Sequence, residues 1–214
     1  MDKNTRKNNR SNRRGHTYKK IIKVYEPLSG YSITNNLYDP KFSLTYGEVT
    51  TEGAIELANI FTKIKPIKTY PIGQRTFYDL GSGIGRIVFL ITNSIPGLIS
   101  KGIELVKERH DNAVLAYNKL NDVSLQKRVE FINCSFFDKP LNDAAWIYIA
   151  NLCFSDAIKE ELSKKFNTEL QSGTLIACLS QFNLSTDNFE NLGIYTIPMS
   201  WNKAGSVVYI YRKK

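Results

Sequence analysis

Histidine and cysteine are scarce in this chain of 214 residues, with two of the first and three of the second. His16 and His110 lie in polar surroundings, so neither a histidine-based triad nor a metal centre is expected. Cys134, Cys153 and Cys178 are widely spaced and lack the C-x-x-C pattern of a zinc site, and three such residues make no disulfide framework. Each falls in an apolar, strand-like segment and is expected in the core. Long apolar runs are also missing. The longest are broken by charge or glycine well short of a membrane span, and the N-terminus has no apolar core of a secretory signal. No internal repeat is visible. These absences predict a soluble, intracellular protein without metal or membrane, and they leave hydrolase chemistry no machinery.

With 42% hydrophobic content the chain can bury one sizeable core and little more. The net charge of +9 is concentrated at one end: residues 1–20 carry eight Lys and Arg against the single Asp2. With no apolar residue between Met1 and Tyr18, this tail cannot join a core and is predicted to be disordered alone. A cationic arm of this kind, with Arg6, Lys7, Arg10, Arg13 and Arg14, holds phosphate backbones by counterion release, without sequence preference and with strong salt dependence. A solubilising or nuclear-targeting tail would have the same composition.

The most informative segment is Tyr78-Asp79-Leu80-Gly81-Ser82-Gly83-Ile84-Gly85-Arg86, followed by Gly102-Ile103-Glu104. An apolar run enters a tight glycine turn that leads into the helix-like Ile84 to Leu90. Glycine lets backbone lie against a ligand where a Cβ would collide, and a helix N-terminus offers free N–H groups. Glycines at 81, 83 and 85, with Arg86 in the place of a final glycine, do not fit the G-x-G-x-x-G dinucleotide pattern. Asp79 argues further: a carboxylate before the turn would repel a pyrophosphate but suits a cationic amino group, such as that of S-adenosyl-L-methionine. Glu104 closes the next apolar segment, where folds of this type place an acid on a ribose diol.

The hydrophobic periodicity predicts a helix from Thr51 to Ile64, with Ala54, Leu57, Ala58 and Phe61 on one face and Pro66 beyond its end. Strands are expected at about residues 75–80, 98–104, 128–134, 145–150 and 173–180, and helices at about 84–94, 106–120 and 155–166. Such alternation implies a parallel sheet covered on both faces. Two further strands, about 193–200 and 205–213, adjoin the turn Asn202-Lys203-Ala204-Gly205 and end the sheet in an antiparallel hairpin. The expected organisation is a basic tail (1–20), an irregular lid (21–47) and an α/β domain with a seven-stranded mixed sheet (48–214).

Several segments together resemble the disruptor-of-telomeric-silencing histone methyltransferases, which modify lysine-79 of histone H3. Tyr46-Gly47-Glu48-Val49 is similar to that family's Y-G-E-T loop, Asp79 to Gly85 to its D-L-G-S-G-V-G, Gly102-Ile103-Glu104 to its G-V-E, and Ala150-Asn151-Leu152-Cys153-Phe154 to its N-N-F-A-F. Ser200-Trp201 with Tyr209 resembles its C-terminal S-W and the tyrosine that follows. The resemblance spans about residues 40–212 in order. The sequence departs from it at Ser135, Ala150 and Leu152. It implies a class I, Rossmann-like methyltransferase fold, S-adenosyl-L-methionine as cofactor, and a nuclear chromatin enzyme, monomeric, with the basic tail on nucleosomal DNA.

By the same resemblance, Tyr46, Gly47, Glu48 and Val49 close over the methionine end of the cofactor. Asp79, Gly81, Gly83, Gly85, Glu104, Ser135, Phe136 and Asn151 complete its site, with Phe136 placed to stack on adenine. Phe154, Trp201 and Tyr209 wall a lysine channel, and Asn151 orients the amine. Three alternatives stay open: a lysine methyltransferase of another protein, a nucleic-acid methyltransferase, and a cofactor-binding or DNA-tethered module without turnover. The second is disfavoured because Asn151-Leu152-Cys153-Phe154 lacks the prolines of an N/D-P-P-Y/F turn.

Overall fold

The computed structural model describes residues 15–31 and 47–214. A helix α1, described from residue 15 to 25, precedes α2 (Thr51–Ile64). Beyond two short 3-10 turns come β1 (Thr76–Leu80), α3 (Arg86–Ser94), β2 (Ile99–Glu104), α4 (Lys107–Leu120), α5 (Val123–Gln126) and β3 (Val129–Asn133). The chain continues through β4 (Ala144–Ile149), α6 (Asp156–Glu169), β5 (Leu175–Cys178), β6 (Phe189–Met199) and β7 (Asn202–Lys213).

The seven strands form one sheet in the order β3-β2-β1-β4-β5-β7-β6. β1 to β5 are parallel, and β7 runs antiparallel to both β5 and β6. Every residue of β1 and β4 is buried, as a continuous apolar strand covered on both faces requires. On one face Phe61 of α2 stacks on Trp146 of β4 with ring centroids 5.1 Å apart, and Val88 and Leu90 of α3 join the same cluster. On the other, Ile158, Leu162 and Phe166 of α6 pack against Ile147 and Ile149. Strand order reverses between β1 and β4, which opens a crevice beyond their carboxyl ends.

α2 follows the predicted bounds because its ends are well specified. The Thr50 hydroxyl accepts from Gly53 N at 3.0 Å, and Glu52 and Lys63 complement the helix dipole. Three expectations fail. Residues 15–20, assigned to a disordered tail, and 21–25, assigned to an irregular lid, are helical, because Tyr18, Ile21 and Tyr25 share a face; Ile21 and Tyr25 are buried, and the Tyr18 hydroxyl lies 2.5 Å from Ser94 Oγ. The hairpin turn is Ser200-Trp201, with Met199 paired to Asn202, and not Asn202 to Gly205. Gly205 misled because it is a strand position with φ +113, where a Cβ would lie 2.2 Å from Thr196 Cγ2. The cysteines also divide: Cys178 is buried, but Cys134 is half-buried and Cys153, in the turn after β4, is exposed.

Candidate active site

The glycine turn is folded back onto β2 by two hydrogen bonds, from Gly81 N at 2.8 Å and Ser82 N at 2.9 Å to the Ile103 carbonyl. Gly81 (φ +90) and Gly85 (φ +80) take left-handed conformations. A Cβ at Gly85 would lie 2.3 Å from Phe131 Cε1, so that glycine serves close packing. A Cβ at Gly81 would meet nothing within 4 Å, so its backbone faces open space. Glu104 stiffens the turn, since its Oε2 accepts from Gly83 N at 2.7 Å and its Oε1 from Val106 N at 2.8 Å. Each carboxylate oxygen keeps a lone pair for a ligand hydroxyl.

A cavity of about 460 Å³ lies over these strand ends. Its lining includes the polar or charged Asp79, Tyr148, Arg86, Glu48, Glu104 and Ser135 and the apolar Val106, Phe136, Leu152, Cys153, Phe154 and Trp201. Asp79 is buried, and its carboxyl makes no hydrogen bond or ion pair with another described residue. Burial pushes its carboxyl well above the ordinary value, and the charge of Glu104 adds to the rise. The Glu104 carboxyl is raised by burial too, against the pull of the Val106 and Gly83 N–H groups and of Arg109 and His110. Two buried carboxyl groups, one without a partner, make a cavity that favours a cation.

The mouth is built by two segments far apart in sequence. Ser200 N donates to the Glu48 carbonyl at 2.8 Å, Glu48 N donates to Ser200 Oγ at 3.1 Å, and Thr50 N donates to the Pro198 carbonyl at 3.3 Å. Val49 bridges Met199, so residues 48–50 extend the edge of β6. The Trp201 indole lies against Gly47, and the Glu48 carboxylate takes a hydrogen bond from Arg86 Nη1 at 3.3 Å.

Most of the candidate residues converge on the cavity: Gly47, Glu48, Val49, Asp79, Gly81, Glu104, Ser135, Phe136, Phe154 and Trp201 all line it. Phe136 and Phe154 stack with centroids 5.9 Å apart. Gly83 acts one step back, through Glu104. Asn151 does not line the cavity. It is fully buried, its Nδ2 donates to the Ser180 carbonyl at 2.8 Å, and its Oδ1 accepts from Leu179 N at 3.0 Å and Ser180 N at 2.8 Å. It clamps the end of β5. Tyr209 is also off the lining, paired with Cys178 of β5 and Ile194 of β6 in the middle of the sheet. Tyr46, Arg6, Lys7, Arg10, Arg13 and Arg14 lie outside the described residues. Sequence reasoning missed Tyr148, Arg86, Leu179 and Arg109 on the lining. For Tyr148 the signal was its place in β4, level with Asp79 in the parallel ladder.

A family model described as histone methylation protein DOT1 matches residues 31–197. The chain belongs to this family. Its fold is that of class I methyltransferases. Compared with an O-methyltransferase from Bacillus cereus solved with S-adenosylhomocysteine, the TM-score is 0.58 at 13% identity over 92% of this chain and 91% of that one. For an RNA methyltransferase from Salinibacter ruber, solved with the same molecule, the values are 0.53 and 18%, over 74% and 90%. No curated protein sequence matches the chain. As a class I member of the DOT1 family it takes S-adenosyl-L-methionine as cofactor. The cavity fits that molecule, since unpartnered Asp79 meets a cationic amine, Glu104 has lone pairs for ribose hydroxyls, and Phe136 offers an aromatic surface to adenine. Among the described residues no helix is long and apolar enough to cross a membrane, and no three metal-ligating side chains cluster.

Proposed function

We propose that the protein is a protein-lysine N-methyltransferase that acts in the nucleus on nucleosomal histone H3, at lysine-79. The observation that carries this reading is the mouth of the cavity, where the hairpin tip joins the 47–48 segment: Ser200 is hydrogen-bonded to Glu48 and the Trp201 indole lies against Gly47. A long, thin, apolar-stemmed side chain suits an opening bordered by Trp201, Leu152 and Phe154. The basic tail, Arg6, Lys7, Arg10, Arg13 and Arg14 included, supplies charge to hold nucleosomal DNA.

When bound, S-adenosyl-L-methionine supplies an electrophilic methyl group beside a positive charge. The protein's part is to position, dry and neutralise. Asp79 fixes the amino-acid end and Glu104 the ribose, so that the approach of the amine is set by the rigid strand ends. A free lysine has a pKa near 10.4, so presenting it neutral at pH 7 costs about 4–5 kcal/mol. Enclosure by Phe154 and Trp201 disfavours the ammonium form by desolvation, and a neighbouring positive charge does so again. No side chain need act as a base. Asn151 contributes from behind, by holding Leu179, which lines the cavity, in place.

The test is transfer of labelled methyl to nucleosomes, free histone octamers and naked DNA in parallel. Label on H3 in nucleosomes, and none on DNA, is the expected result. Label on DNA would make it a nucleic-acid methyltransferase. No label anywhere, with cofactor bound, would point to another protein substrate or to a module without turnover.

A further inference from the structure

Three residues of the cavity lining each carry a buried side-chain atom with no hydrogen-bond partner: the Tyr148 hydroxyl, Ser82 Oγ and Arg86 Nε. Leaving such a group unpaired costs stability, so a site that carries several is built for something to pair them. Tyr148 is the most constrained. It lies level with Asp79 across the β1–β4 ladder, and paired residues of parallel strands point to the same face, so its ring and the Asp79 carboxyl share the cavity floor. Only 3% of Tyr148 is exposed, and its packing partners are the apolar side chains of the core. Burial, and after it the charge of Asp79, push the Tyr148 hydroxyl well above its ordinary value, so it stays protonated and remains a donor.

Donor and acceptor therefore project from paired positions of neighbouring strands. Asp79 can only accept, and it suits an ammonium. Tyr148, together with the unpartnered Arg86 Nε–H on the same lining, suits the carboxylate that every α-amino acid carries next to its ammonium. We propose that Tyr148 is a cofactor-binding residue whose hydroxyl donates to the α-carboxylate of S-adenosyl-L-methionine while Asp79 takes the ammonium. This rests on the cofactor assignment and sharpens it: the floor of the cavity recognises a zwitterion.

The test compares Y148F with wild type by titration of S-adenosylmethionine and of its decarboxylated analogue, with Tm measured on the cofactor-free proteins. Phenylalanine keeps the ring, and the lost hydroxyl has no partner in the protein, so the cofactor-free Tm should be unchanged or higher. For S-adenosylmethionine, Y148F should bind about tenfold or more weakly, the range for a hydrogen bond to a charged group. For the decarboxylated analogue, the two proteins should bind alike. An equal penalty for both ligands, no penalty for either, or a lowered cofactor-free Tm would overturn the assignment. Failure of wild type to bind S-adenosylmethionine would instead sink the cofactor reading itself.

Discussion

The Trp201 indole rests on the backbone of Gly47, so closely that a Cβ on Gly47 would lie 2.3 Å from Cζ3 and 2.6 Å from Cε3 of the ring. The two residues are 154 positions apart in sequence. Their contact joins the loop at the cofactor cavity to the hairpin tip at its mouth.

Gly47→Ala should therefore displace the indole while leaving the sheet intact. Methyl transfer to nucleosomes should fall about 10- to 100-fold, the scale of a roughly 1 Å misplacement near reacting atoms. Tm should change little. Trp201→Ala should act likewise, lowering kcat more than it weakens cofactor binding. A normal kcat in both variants would remove the hairpin from the channel.

Asp79 gives a pH dependence whose sign is set by burial. Its folded-state value lies above the unfolded one, so its contribution to stability is fully present below the ordinary carboxylate range and is lost as pH rises through the raised value. Without cofactor, D79N should raise Tm at neutral pH, because it removes a buried, unpaired charge. It should also weaken cofactor binding by about 1.5–3 kcal/mol, roughly 10- to 150-fold. In wild type the ammonium favours the ionised carboxylate, so affinity should fall as pH drops through the raised value. Calorimetric titration over a series of pH values checks the direction.

Glu104 predicts the opposite response in the cofactor-free protein. Both its oxygens accept backbone N–H groups, from Gly83 and Val106. E104Q turns one acceptor into a donor facing a donor, which should cost about 1–3 kcal/mol and lower Tm. Matched melting curves of E104Q and D79N should move in opposite directions.

Deleting residues 1–14 tests the tail while keeping α1, whose Ile21 and Tyr25 belong to the core. Arg6, Lys7, Arg10, Arg13 and Arg14 should together account for up to about 4–5 in the slope of log affinity against log salt on DNA. Nucleosome binding should weaken and lose salt dependence by that amount, with cofactor affinity unchanged. An unchanged salt slope would separate the tail from DNA.

Where local chemistry decides structure, the sequence was legible. Asp79, the glycine turn and Glu104 lie within 26 residues, and their spacing alone placed them at the carboxyl ends of adjacent strands. The Thr51 helix was equally plain from its periodic face. Register was not legible: Gly205 has the chemistry of a turn, yet it lies within β7, at the irregularity between the Ile197–Ser206 and Met199–Asn202 pairs. Tyr209 was placed in the channel by resemblance alone, and its pairing with Cys178 and Ile194 keeps it within the sheet. Asn151 failed differently, since its amide lies next to the cavity in sequence yet is consumed by Leu179 and Ser180, a contact made only once β5 is in place. Tyr148 reads from sequence as one more apolar strand residue, and its hydroxyl gains meaning only beside Asp79.

The most direct measurement of the central claim is peptide mass spectrometry of histone H3 after reaction of nucleosomes with wild type and D79N. The account predicts methylation of the peptide that carries lysine-79 by wild type, and its loss in D79N. Methyl groups confined to other proteins or to other H3 lysines, or no methylation by a wild-type protein that binds the cofactor, would contradict it.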